Sequence, residues 1–210
     1  MMVSPVQKML IRVRGLLNDR SGVAAVEFVM IVPIMLVMFF GVVEFSSAIA
    51  VYRKATQVAR TFSDLTSQMK DSVADADLTS FGQTAKAIMT PYAPPPLQSS
   101  ITEIYVDITT GVARVQWSKG LTIDTSGNVA IAATPPHNPG DIVVIPPALV
   151  VNGTYLIWSE VSYKYTPAVG YVMAKTGITL SDTAYTRPRQ VLCVIYPTPS
   201  SGSLPSCPQL

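Results

Sequence analysis

Residues 20–28 read Arg20-Ser21-Gly22-Val23-Ala24-Ala25-Val26-Glu27-Phe28 and open an apolar run from Val23 to Val43 whose only charge is Glu27. At ~1.5 Å rise per residue this run spans roughly 30 Å as a helix, the thickness of a bilayer core. Pro33 falls inside it, which a lipid-embedded helix tolerates better than a soluble one. Before it stand Lys8, Arg12, Arg14 and Arg20 against Asp19 alone. A basic head ahead of an apolar span is retained on the cytoplasmic side, so residues 1–22 read as a cytoplasmic leader and everything after the span as exported.

Composition agrees with a membrane-associated, exported chain. Of 210 residues only 13% are charged, against about 25% in an ordinary soluble domain. A net charge of +2 gives no electrostatic footprint for nucleic acid. One His and two Cys exclude a zinc-finger framework and argue against a His-rich metal site, so no metal and no cofactor are expected.

Between Val42 and Phe81 there is neither Pro nor, after Gly41, Gly, so nothing local interrupts a helix. Val51, Ala55, Val58, Phe62, Leu65 and Met69 recur at intervals of 3 and 4, an apolar stripe on one helical face. The stripe can pack on the chain's own downstream domain or against neighbouring subunits of a fibre. Leu78, Phe81, Ala85, Ile88 and Met89 indicate a second short helix from near Asp77, ended by Thr90-Pro91 and Pro94-Pro95-Pro96.

From Ile101 the composition turns to Thr, Tyr, Val, Pro and Gly. Ile104, Val106 and Ile108 alternate with Glu103, Tyr105 and Asp107, as in a half-buried strand. Thr109-Thr110-Gly111 reads as a turn back into Val112–Trp117, with further short strands at Val129–Ala132 and Ile142–Ile145. Asn152-Gly153 is a hairpin signal leading into 155–165, where Tyr155, Ile157, Val161, Tyr163 and Tyr165 share a face with Ser159. Val191–Tyr196, apolar on both faces, reads as a central strand. The expectation is an α+β fold. A leader at 1–22 precedes a transmembrane and amphipathic helix at 23–76. A short helix and Pro-rich linker occupy 77–100, and a β-rich periplasmic domain occupies 101–210.

An ionisable residue inside a membrane span is expensive, which makes Glu27 a functional candidate. A cut after Gly22 would create an α-amino group on Val23, unfavourable at a helix N-terminus and more so in lipid. A carboxylate from a neighbouring copy could pair with it and fix the stagger of stacked helices. Glu44, in a second Glu-Phe pair at the far end of the run, reads as an outer-interface position or a subunit contact.

Gly22, four residues, then Glu27-Phe28 and a long apolar helix resemble the processing site of type IV pilin-like proteins. The fuller string, with Ala24-Ala25-Val26-Glu27-Phe28 and Gly41-Val42-Val43-Glu44-Phe45, resembles the TadE/TadG-like pseudopilins of bacterial tight-adherence (Tad) pili over roughly residues 18–65. Thr186-Arg187-Pro188-Arg189-Gln190 followed by Cys193 is similar to that family's tail. The chain leaves no room for the large von Willebrand-like domain of longer TadG members, which points to a TadE-like minor pilin. The resemblance implies a type IV pilin-like architecture and cleavage between Gly22 and Val23 by a prepilin peptidase. The implied partners are the membrane, that peptidase, other Tad pilus subunits and the inner-membrane assembly machinery, with no nucleic acid and no small-molecule substrate. Val23 stands where many type IV pilins carry Phe.

Cys193 and Cys207 are an even pair in a segment expected to face an oxidising compartment. A disulfide there would close a ~15-residue loop worth roughly 3 kcal/mol in the chain-entropy model, with free or intermolecular thiols as the alternative. His137 sits in a Pro-rich loop, where a lone His is usually solvated, and Arg187 with Arg189 reads as a solvated edge or a grip on an acidic partner. No nucleophile motif surrounds any Ser, so no catalytic residue and no enzyme are expected. Two other readings use the same residues: an uncleaved single-pass anchor with a periplasmic binding domain, or a secreted protein cut after Ala48-Ile49-Ala50, near Val51.

Overall fold

The computed structural model describes residues 15, 22–93, 97–124, 126–167, 177–197 and 207. Most of the basic leader and much of the C-terminal tail lie outside the described residues. The chain divides into two units, 1–45 and 46–210, and one helix, α1 (Val23–Ser67), runs through the boundary. In the first unit α1 is continuous through Pro33, and its apolar side chains are exposed: Phe28 is 66% and Met30 70% accessible. This stretch is long and apolar enough to cross a membrane.

In the second unit the rest of α1 and a second helix, α2 (Asp75–Met89), pack on an antiparallel sheet. Its strands are β1 (Leu97–Val106), β2 (Ala113–Ile123), β3 (Val129–Ile131), β4 (Ile142–Val143), β5 (Tyr155–Tyr165) and β6 (Ile178–Thr186). They run in the order β3-β2-β1-β5-β6, with β4 also paired to β2. The helix therefore ends at Ser67 rather than near 76. β1 begins at Leu97, four residues before the expected start and directly after the Pro run.

The apolar stripe of α1 resolves in favour of the chain's own core. Val51, Ala55, Val58 and Phe62 are fully buried, and Leu65 and Met69 pack on the same cluster with Leu78, Phe81 and Met89 of α2. A buried Phe of this kind contributes about 3–5 kcal/mol relative to Ala. On the sheet the matching surface is the face of β5 that carries Ile157, Val161, Tyr163 and Tyr165. Ser159 lies among them because α1 comes too close for anything larger: its Oγ donates to the carbonyl of Ala59 at 2.5 Å. Lys54 of α1 closes the C-terminus of α2, donating to the carbonyls of Ile88 (2.6 Å) and Thr90 (2.8 Å), where the helix dipole favours a cation.

Three expectations about the strands are corrected. β1 is buried on both faces, not half-buried: Ile145, Leu149 and Val143 pack on Ile104 and Val106, and the Glu103 and Tyr105 face, expected in solvent, is covered by Cys193 and Val194. Ile108, past the strand's end, is 67% exposed. Residues 191–196 do not form a central strand. Leu192 is exposed, and the only regular pairing of this segment is a parallel bridge from Ile195 to Ser72. The missing strand is β6, a polar Thr- and Ser-rich edge without the alternation that marks a buried strand. The turns were legible: Gly111 (φ 68°) and Gly153 (φ 73°) hold left-handed conformations. Asn152-Gly153, however, leads β5 back beside β1 rather than into a hairpin with β4.

Candidate functional site

Gly22 stands in a turn at the head of α1, and its carbonyl accepts the first helical bond, from the Val26 amide at 3.1 Å. A Cβ built on Gly22 meets nothing within 4 Å, and Val23 is 52% exposed. Among the described residues the Gly22–Val23 bond is thus exposed, and the helical bond across it is the one from the Val26 amide to the Gly22 carbonyl. Glu27 and Phe28 are both exposed on the first turns of the helix. With a spacing of four, Glu27 lies on the same helical face as Val23, and a helical side chain leans toward the N-terminus. The carboxylate is therefore aimed at the end where a new amine would appear. Glu27 is exposed, whereas Glu44, just past the apolar run and read as an outer-interface position or a subunit contact, is buried.

In the second unit the C-terminal segment is fastened to the sheet by groups that sequence reasoning missed. Glu103 is fully buried. Its Oε1 accepts from the Val194 amide at 2.6 Å, and its Oε2 accepts from Trp117 Nε1 at 3.1 Å. Trp117 Nε1 also donates to the Val194 carbonyl at 2.7 Å. Burial pushes the Glu103 carboxyl up to about 8, against these two hydrogen bonds, which oppose the shift. Cys193, next in the chain, forms a disulfide with Cys207 beside the Tyr105 and Tyr155 rings, which meet at 4.8 Å in a tilted arrangement. Tyr196 packs on Trp117 and donates to Asp75 Oδ1 at 2.7 Å, and burial with that acidic neighbour pushes its phenol up to about 12. The Cys193–Cys207 disulfide is the one expected from the sequence; for the hydrogen bonds around it the signal was one carboxylate in a strand of Ile, Tyr and Val, and that strand's assumed solvent face hid it.

His137 is only partly exposed. It stacks on Trp158 at 4.7 Å, and its Nε2 lies 2.7 Å from Glu160 Oε2. Arg189 pairs with Asp64 at 2.5 Å and its amide donates to the Ser67 carbonyl, so the Arg-Pro-Arg stretch docks at the end of α1. Among the described residues no group of three His, Cys, Asp or Glu is arranged to hold a metal.

These features define a membrane-associated protein with one candidate spanning helix among the described residues and an antiparallel sheet domain to which the C-terminal segment is tied by a disulfide. Residues 22–61 match the family model described as TadE-like protein. The match starts at Gly22 and ends inside α1, so the sheet lies outside it. No curated protein and no solved structure matches the chain.

Proposed function

We propose that this chain is a TadE-like minor pilin or pseudopilin, cut between Gly22 and Val23 by a prepilin peptidase and used in assembling a Tad (Flp-type) adhesive pilus. The observation that carries the reading is coincidence at one residue. Gly22 begins the family match, ends the basic leader and precedes the first residue of the apolar helix. The leader stays cytoplasmic, the apolar half of α1 sits in the inner membrane, and the sheet domain lies in the periplasm. Cutting removes the carbonyl that caps Val26 and leaves an ammonium on Val23, at the end of the helix where the dipole disfavours a cation. Glu27 of a neighbouring subunit neutralises it, and that pairing sets the axial stagger of packed helices. In this reading the chain performs no catalysis.

Glu27→Gln tests the pairing. Processing at Gly22 should persist, because the scissile bond and the fold are untouched, while surface pili are lost. Normal piliation by the variant would defeat the charge-pairing mechanism.

A further inference from the structure

We infer that the open edge of β6, with the groove between it and α1, is a docking site for an extended, acidic segment of a partner protein that adds a strand to this sheet. The inference holds whether or not the chain is cut at Gly22.

Natural sheets blunt their edges with short strands, lysine, proline or bulges. Two of this sheet's outer strands conform, since β3 has three residues and β4 two. β6 does not. It runs for nine residues in unbroken register with β5 and contains no Lys, Arg or Pro. Among the described residues no strand pairs with its outer edge, and the Thr183 amide donates to the Asp182 carboxylate at 2.8 Å.

Beside this edge, α1 turns a polar face toward the place a further strand would occupy. Two hollows lie in series there. One of about 570 Å³ is lined by Gln57, Arg60, Thr61 and Thr183–Thr186, and one of about 560 Å³ by Tyr52, Arg53, Thr56 and Asp182. Inward-facing side chains of an added strand would enter these hollows. The charges of the groove are unbalanced. Asp64 is paired with Arg189, and Asp182, which accepts from Thr56 and the Thr183 amide, keeps its own charge, so Arg53 and Arg60 leave the groove with one positive charge in excess. Arg53 and Arg60 are exposed and make no hydrogen bond or ion pair among the described residues. They stand two helical turns apart, ~10 Å along the axis. Carboxylates at positions i and i+4 of an added strand lie ~13 Å apart on one face, within reach of both guanidinium groups.

The same charges argue against a second copy as the occupant. Pairing β6 with β6 across a twofold axis would bring the arginines of both copies to one seam against only the two Asp182 carboxylates, an excess of positive charge. Main-chain pairing supplies the affinity and the inward carboxylates supply the selection, as in strand addition elsewhere.

The test uses the full chain in detergent micelles and two nine-residue peptides. One is Thr-Val-Glu-Val-Thr-Val-Glu-Val-Thr, blocked at both ends, and the other carries Lys at both Glu positions. Binding is followed by fluorescence anisotropy and by amide shifts. The Glu peptide should bind at least ~10-fold more tightly than the Lys peptide, with shifts confined to β6 and to 52–65 of α1. The double variant Arg53→Glu, Arg60→Glu should invert the preference. Thr183→Pro should abolish binding of both peptides while β5–β6 amide signals stay native, since the lost N–H is not a ladder donor and proline is tolerated on an edge. Equal affinity for the two peptides, no binding of either, or binding undiminished in a natively folded Thr183→Pro chain would each overturn the proposal. So would dimerisation of the free chain that Thr183→Pro abolishes, which assigns the edge to a second copy.

Discussion

Replacing Glu103 by Gln should change how stability depends on pH more than it changes stability itself. The side chain is fully buried, and both oxygens accept hydrogen bonds from groups that hold residues 191–197 in place. Its folded pKa is raised from 4.5 to about 8, chiefly by burial. The folded state therefore keeps a proton that the unfolded chain releases near pH 4.5. Between those values the folded state binds more protons than the unfolded one, so this group's stabilisation is complete below about pH 4.5. It declines as pH rises and is gone above about pH 8. Within that window the slope approaches about 1.4 kcal/mol per pH unit for one proton. Gln keeps the volume and an acceptor for the Val194 amide but cannot ionise. Urea unfolding of the full chain in micelles, followed by Trp fluorescence at several pH values, gives the difference between the two proteins, in which every other titrating group cancels. Near pH 5 the two should agree within about 1 kcal/mol, and toward pH 8 the Gln variant should become the more stable by several kcal/mol. Glu103→Ala leaves the Val194 amide unpaired and opens a cavity, and should cost about 2–4 kcal/mol at acidic pH. Parallel pH profiles for the parent and the Gln variant would show that Glu103 is ionised in the fold and that the reasoning from burial is wrong.

Three further outcomes follow from the packing. Ser159→Ala should cost about 1 kcal/mol of unfolding free energy through the lost bond to Ala59, whereas Ser159→Val should cost more, because α1 leaves no room for a branched side chain. Gly82→Ala places a Cβ 2.3 Å from Val129 Cγ1 and should lower stability by about 1–3 kcal/mol; adding Val129→Ala should recover part of that loss, measured as a double-mutant cycle. Removing the disulfide by Cys193→Ser with Cys207→Ser should cost about 3 kcal/mol in the same unfolding assay and raise amide exchange at 191–197 before it affects β1 or β5.

The helical half of this architecture was legible because helical periodicity is local. Val51 to Met69 writes its buried face at intervals of three and four, and the structure buries that face on its own sheet. The turns at Gly111 and Gly153 were legible for a similar reason, since positive φ selects glycine. What could not be read was long-range. β6 resembles a loop by composition because an edge strand buries little and needs no alternation. The segment Val191–Tyr196 resembles a strand because its residues are apolar, yet its main chain is satisfied by Glu103, Trp117, Asp71 and Val73 rather than by a ladder. Glu103 itself was assigned to a solvent face because alternation gives two faces and does not say that both are covered. At the candidate processing site the residues Gly22, Glu27 and Phe28 carried the reading, and among the described residues the structure adds their exposure and the helical bond from Val26 to Gly22.

The mature N-terminus, read by intact mass and peptide mapping of the protein from native membranes and from sheared surface material, bears most directly on the proposed role. A chain starting at Val23, replaced by one starting at Met1 or Met2 in a Gly22→Leu variant, is the expected result; a Cβ at Gly22 meets open space, so that substitution probes the peptidase rather than the fold. An intact leader on the native chain in both fractions would make it a membrane anchor, and a start at Val51 would make it a secreted protein. Either would end the pilin reading.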